Sequence, residues 1–194
     1  MNKYDEILKL VDKQGYISTK KVEKNGINRA YLSLMEKDGR IERIKRGLYK
    51  VNDYINENEI SEIIRLVPKG VICLETAAEY YGLTTLIPTE YSVAIQRSKK
   101  VVLPEYPPIK LIYFSDKNFK LGITFIEEDN IRIYDIEKTV CDITKYRNKL
   151  GKNIYKEVLK EYLKRKDRNI DKLLEYAKKM NAYRVLKETL EVII

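Results

Sequence analysis

The chain has 194 residues, of which 44% are apolar and 35% charged, and its formal net charge is +9. That length and apolar content support one large or two small folded domains, and the charge favours polyanionic partners. There is no histidine, which excludes Ser-His-Asp and Cys-His nucleophile systems and any His-ligated metal, and no run approaches the roughly 18 apolar residues a membrane span needs.

The charge falls in three blocks. Residues 1–55 are net +5, residues 56–139 net −3 and residues 140–194 net +7. A nucleic-acid partner would therefore bind at the two ends. Cys73 and Cys141 lie in apolar surroundings and read as buried reduced thiols, as in a cytoplasmic protein. The opening MNKYDEILKL is charged and periodic, unlike a signal peptide.

In chain order, Tyr4, Ile7, Leu8, Leu10 and Val11 recur at helical spacing, so a first amphipathic helix is expected over 3–13, stopped by Gln14-Gly15. Tyr16-Ile17 are extended. Ser18 or Thr19 can cap a second helix through about Lys24, and Asn25-Gly26 is a turn. Asn28 can cap a third helix with apolar positions Tyr31, Leu32, Leu34 and Met35, ending at Gly39. Ile41–Ile44 and Leu48–Val51 alternate as two strands joined by Lys45-Arg46-Gly47, a hairpin.

Helix, helix, turn, helix, hairpin is the order of a winged helix-turn-helix, whose third helix enters the major groove. The expected DNA-binding residues are Asn28, Arg29, Ser33 and Lys37, with Tyr31 a further candidate, on that helix. On the wing they are Arg43, Lys45, Arg46 and Lys50, along phosphates or in the minor groove. Arg29 could fork onto guanine and Asn28 pair with adenine. The competing readings are that Asn28 is a plain helix cap, that Lys37 is a solvated helix charge, and that the module docks protein rather than DNA. From Asn28 to Lys50 there are seven Lys and Arg against three acids, which favours DNA.

Residues 53–59 are polar and mark a boundary between 1–55 and 56–194. A helix near Ile60–Leu66 ends at Pro68-Lys69-Gly70, and VICLETAAEYYGL reads as a buried segment turning into a short helix closed by Gly82. YSVAIQR, IKLIYFS, ITFIEE and IRIYD read as short strands, with Glu128-Asp129-Asn130 at a hairpin turn. The carboxylates Glu75, Glu127, Glu128, Asp129 and Asp135 show no spacing that demands a metal site; Asp135 reads as a helix cap. No glycine-rich phosphate loop is present. No catalytic residue, metal site or cofactor is expected.

From Ile136 onward four helices are expected, each with one apolar stripe. Lys156, Lys160, Lys164, Arg165, Lys166, Arg168, Lys172, Lys178 and Lys179 lie on their outer faces. They are a solvated surface, a second phosphate-contacting face, or a docking face for an acidic protein. The fold class is α+β: a winged helix-turn-helix, then a mixed α/β domain ending in a helical block.

The whole chain resembles the AbiEi-type antitoxins of bacterial type IV toxin-antitoxin (abortive infection) systems. The resemblance is carried by QGYISTKKVEKNGINRAYLSLMEKDGRIERIKRGLYKV, by LETAAEYYGLTTLIP and by IYDIEKTVCDITKY, which is similar to a family segment of the form pERTllD. Glu137, Thr139 and Asp142 fit that segment; Ile136 stands where proline is common, Lys138 where arginine is common, and Glu75 where histidine is frequent. The resemblance implies a DNA-binding antitoxin without enzymatic activity, residues 56–194 being the antitoxin domain. It implies repression of the protein's own operon through promoter repeats, and neutralisation of a nucleotidyltransferase-like toxin with or without stable contact. The alternatives are a stand-alone winged-helix regulator whose C-terminal domain senses a ligand or protein, and a DNA-processing enzyme using Glu127, Glu128 or Asp135.

Overall fold

The computed structural model describes residues 2–12, 14–52, 54, 59–126 and 131–193. Residue contacts divide the chain into two compact units, Met1–Glu62 and Ile63–Ile194.

The first unit runs α1 (Lys3–Leu8), β1 (Tyr16–Ser18), α2 (Thr19–Lys24), α3 (Ala30–Lys37), β2 (Ile41–Lys45) and β3 (Leu48–Val51). It is a winged helix-turn-helix. The expected helix over 3–13 stops at Leu8. The Asp12 side chain accepts from the backbone N–H of Gln14 at 2.9 Å and of Tyr16 at 3.1 Å, an Asx-type turn that competes with helical bonding. Ser18 caps α2, accepting from Lys21 N at 3.2 Å. Asn28 Oδ1 accepts from Ala30 N at 2.9 Å and starts α3. Gly39, at φ +67°, ends it in the left-handed conformation that only glycine adopts at little cost. Ile7, Ile17, Val22, Ile27, Leu32, Met35, Ile41 and Tyr49 form the core.

β3 is the central strand, between β1 and β2, both antiparallel. The wing turn is Arg46-Gly47, with Lys45 inside β2, and Gly47 takes φ +79°. Arg43 stands opposite Tyr49 and Glu42 opposite Lys50, and the register shifts between Arg43 and Lys45. The pleat then decides which side each cation serves, because successive side chains point to opposite faces.

The boundary expected at residues 53–59 lies mostly outside the described residues. Beyond it come α4 (Glu59–Leu66), β4 (Val71–Ile72), α5 (Leu74–Tyr80), β5 (Tyr91–Gln96), β6 (Ile109–Phe114), α6 (Asp116–Lys120), β7 (Ile123–Ile126) and β8 (Ile131–Tyr134). The second unit's sheet has strand order β6-β5-β4-β8-β7 among the described residues. β5–β6 and β4–β8 are parallel, β4–β5 and β7–β8 antiparallel. The turn expected at Glu128-Asp129-Asn130 lies outside the described residues, although Ile126 pairs with Ile131 on either side of it. The short α6 was not expected; five residues with only Phe119 buried carry too little periodicity to read.

Four helices close the chain: α7 (Ile136–Leu150), α8 (Lys152–Lys164), α9 (Ile170–Lys179) and α10 (Tyr183–Ile193). Asp135 caps α7, accepting from Lys138 N at 2.8 Å. α7 packs against α5, α8 and α9, and its first two turns, Glu137 to Thr144, are buried throughout. The core there includes Cys73, Tyr134, Cys141, Tyr162 and Leu173. Both cysteines are free and buried.

Candidate nucleic-acid interface

The start of α3 and the tip of the wing enclose a cavity of about 370 Å³, lined by Thr19, Asn28, Arg29, Ser33, Arg43 and Arg46 together with Ala30, Gly47 and Tyr49. Five of the eight residues expected to bind DNA therefore share one concave surface. The local cause is the hairpin register. Arg43 lies on the face of β2 that carries the core residue Ile41, and its partner Tyr49 on β3 is also buried. Past the edge of that core the same face looks toward α3. Thr19 N donates to Gly47 O at 3.0 Å, tying α2 to the wing turn.

The other three lie elsewhere. Lys50 sits on the opposite face of the hairpin, opposite Glu42. Its Nζ is 3.2 Å from Glu62 Oε2 and 5.6 Å from the centre of the Tyr16 ring. Lys45, just past the register shift, is half-buried, and burial pushes its pKa below the ordinary lysine value. Lys37 is exposed on α3, in the stripe Ala30, Ser33, Leu34, Lys37 that follows from spacing of three and four residues. Tyr31 is on the other side: it is half-buried and meets the Tyr4 ring edge-on at 6.4 Å between centroids.

Arg29 is held loosely. Its Nε is 3.9 Å from Glu23 Oε1, with 76% of the Arg29 side chain exposed, so solvent screens the pair. Asn28 spends its Oδ1 on Ala30 N. A bidentate pair with adenine needs both the amide oxygen and nitrogen, so the capping role competes with the reading role.

Two residues were missed in the sequence. Leu34, assigned there to the helix's buried side, is 46% exposed on the outer stripe of α3. Thr19 lines the cavity from the first turn of α2. Leu34 was legible in principle, since a strict three-and-four count from Leu32 and Met35 leaves it outside.

Residues 5–52 match the family model described as "Transcriptional regulator, AbiEi antitoxin". The resemblance read from the sequence thus holds over the first unit, from α1 to the end of the wing. The AbiEi match stops before the second unit begins. No curated protein matches the chain. Solved structures similar to it include the "RV2827C protein from Mycobacterium tuberculosis", at 9% identity and a TM-score of 0.47, covering 89% of this chain and 73% of that one.

The carboxylates weighed for metal chemistry are otherwise engaged or out of view. Asp135 Oδ2 is 3.1 Å from Lys172 Nζ and accepts from Tyr176 at 3.2 Å. Glu75 accepts from Ser92 Oγ at 3.3 Å. Glu127, Glu128 and Asp129 lie outside the described residues. Among the described residues no group of three or more Cys, Asp and Glu gathers around a cation site.

The cations of the helical block divide in the same way. Lys164 pairs with Glu161 at 2.6 Å, Arg165 with Asp167 at 2.9 Å, Lys179 with Glu175, and Lys172 with both Asp135 and Glu137. Burial works against the Lys172 ammonium, but hydrogen bonds to Glu137 and Asp135 outweigh it and raise its pKa. Lys156, Lys160 and Lys166 are exposed. Among the described residues no helix is long and apolar enough to cross a membrane.

Proposed function

We propose that this protein is a DNA-binding antitoxin that represses its own operon from the bacterial cytoplasm. One observation carries the reading: Arg29, Arg43 and Arg46 converge on the cavity between α3 and the wing, beside a helix face bearing Ser33, Leu34 and Lys37. Guanidinium groups fork onto phosphate oxygens or guanine edges, and a concave basic surface flanked by an exposed helix fits a duplex groove. The description of the family matched over residues 5–52 supports the same conclusion.

In this reading α3 lies in the major groove. Asn28 starts the helix and presents Arg29 to guanine, Leu34 offers an apolar contact to a thymine methyl, and Ser33 and Lys37 reach the backbone or base edges. Arg43 and Arg46 hold the phosphates flanking the groove, with Thr19 donating from α2. Lys45 supplements the wing's field from its half-buried place, and Lys50 serves the fold rather than the DNA. Residues 56–194, which include the whole second unit, supply neutralisation of a nucleotidyltransferase-like toxin, which rests on the sequence resemblance. The protein acts by binding and carries out no chemistry of its own.

A gel-shift titration of the purified protein against its own upstream region, at two salt concentrations and beside a scrambled duplex, tests the regulator half. Preference for the native sequence is expected. Equal binding to both duplexes would reduce the interface to a generic polyanion surface. Co-expression with the neighbouring gene tests the antitoxin half: rescue from growth arrest is expected, and failure to rescue would overturn it.

A further inference from the structure

The second unit contains a separate cavity of about 240 Å³, lined by Arg97, Tyr113, Phe114, Ser115, Asn118, Asp142, Lys145 and Tyr146. It sits where the parallel strands β5 and β6 end. Arg97 directly follows β5, and its backbone N–H donates to Phe114 O at 2.8 Å. Ser115 directly follows β6, and Asn118 comes from α6. The opposite wall is one face of α7, since Asp142, Lys145 and Tyr146 are spaced three and four residues apart. The carboxyl ends of parallel strands are where α/β sheets most often hold ligands.

Charge gives the cavity its character. Asp142 is 1% exposed, and its Oδ2 lies 2.6 Å from Nζ of Lys138, which is fully buried. The Lys138 ammonium also lies 4.2 Å from the centre of the Tyr134 ring and 4.7 Å from that of Phe114. The cavity floor is therefore a neutralised ion pair that still offers carboxylate acceptors. Arg97 and Lys145 are both exposed, and among the described residues neither has a carboxylate within ion-pair distance, unlike Lys164, Arg165, Lys172 and Lys179 on the helical block. Two exposed cations without an ion-pair partner at contact distance, one of them felt by Asp142, therefore line one small cleft beside a buried carboxylate and the Phe114 and Tyr146 rings.

We propose that this cavity binds a small phosphate monoester. The phosphoryl group is held between the Arg97 guanidinium and the Lys145 ammonium, with the Ser115 hydroxyl and Asn118 amide in reach of its oxygens. The body of the ligand lies against Phe114 and Tyr146, whose ring centroids are 6.2 Å apart, and donates a hydroxyl or amino hydrogen to Asp142. The arrangement follows from donor chemistry: guanidinium and ammonium groups pair with phosphate oxygens, and a buried carboxylate accepts from neutral donors. The volume falls below the usual range for drug-sized ligands, which limits the occupant to the scale of a sugar phosphate or a mononucleotide. The site is independent of the DNA interface, whose residues all belong to the first unit.

Isothermal titration of the full-length protein with AMP and with inorganic phosphate tests the proposal. Saturable binding is expected for both probes at a site that survives in R43A/R46A, since any phosphate ligand shares the inorganic anion and the α3–wing guanidiniums can hold it as well. Tighter AMP binding would support the ester; equal binding would overturn it and leave free phosphate as the occupant. The double variant R97A/K145A, whose substituted side chains are exposed, should keep the circular dichroism spectrum and lose about tenfold or more in affinity, the effect of losing charged hydrogen bonds. The control variant R43A/R46A should keep saturable binding of both probes at one site per chain, any uptake at the α3–wing cavity being removed. Absence of saturable phosphate binding would overturn the proposal, and so would binding lost in R43A/R46A but kept in R97A/K145A.

Discussion

Arg43 stands directly opposite Tyr49 in the wing hairpin, while Lys50, the next residue along β3, stands opposite Glu42. The pleat thus sends two wing cations to opposite faces, one to the α3 cavity and the other onto Glu62 and Tyr16. Arg43→Ala and Arg46→Ala should each weaken binding to every duplex and lower the log–log salt slope by about one unit. Lys50→Ala should leave the slope unchanged and cost about 0.5–1 kcal/mol of stability, as for a partly exposed ion pair. Fluorescence anisotropy at several salt concentrations, with urea unfolding alongside, separates the two. A slope change for Lys50→Ala matching that for Arg43→Ala would put DNA on the other face of the wing.

Asn28 and Arg29 are neighbours with different duties. Asn28 Oδ1 holds Ala30 N at 2.9 Å, so Asn28→Ala should cost about 1 kcal/mol of stability, and Asn28→Asp should restore it. Arg29 is largely exposed and weakly paired. Arg29→Ala should leave stability unchanged and narrow the affinity gap between operator and scrambled duplex, by about 1–3 kcal/mol if it forks onto guanine. Competition binding measures that gap; an unchanged gap would reduce Arg29 to a phosphate contact.

Much of this was legible in the sequence because local signals agreed. The Ser18 and Asn28 caps, the Gly39 stop and the alternation of Ile41–Ile44 placed the winged helix with little help from distant contacts. The apolar stripes after Ile136 placed α7 to α10. What escaped was set by pairing. The faces of Arg43 and Lys50 depend on the β2–β3 register, which composition does not encode. The early end of α1 depends on the Asp12 side chain bonding to Gln14 and Tyr16. Lys138 stood out only as occupying a place where arginine is common in the family segment, because nothing local says that α7 is buried over its first turns. The cavity at Arg97 and Lys145 joins residues 48 positions apart and needed the sheet order to appear.

Lys138 and Asp142 form an ion pair at 2.6 Å that is buried in the second unit's core. Burial pushes the Asp142 carboxyl above the ordinary aspartate range, and Lys138 pulls against that shift. Lys138→Met leaves a carboxylate buried without its cation and should cost about 3–5 kcal/mol. Replacing both, as Lys138→Met with Asp142→Leu, should recover most of that loss, because a packed apolar pair avoids the desolvation of two ions. Gly122 confines the same lysine. It sits at φ +68°, and a Cβ added there would come within 2.7 Å of Lys138 Cβ, so Gly122→Ala should also destabilise the unit. Chemical denaturation ranks the variants; a double variant no more stable than Lys138→Met would mean the pair holds this packing in a way apolar side chains do not replace.

Glu157 on α8 accepts from the backbone N–H of Thr85 at 2.8 Å and from its hydroxyl at 3.1 Å. Both bonds favour the charged carboxylate, and the backbone bond is the main cause of a pKa below the ordinary glutamate value. A carboxyl whose pKa is depressed on folding adds stability above its unfolded pKa, and that stability is lost as pH falls through the folded value. Glu157→Ala should therefore be less stable than the unaltered protein by about 0.5–1 kcal/mol at neutral pH, a small effect because solvent reaches the group. The gap should stay level down to about pH 5 and close below about pH 4.3, where the unfolded glutamate also takes up its proton. Glu157→Gln keeps an acceptor oxygen but no charge, so it should lie between the two at neutral pH. Urea midpoints measured from pH 7 to pH 3 test the sign, and a gap that widened as the pH fell would show that the Thr85 bonds favour the protonated acid.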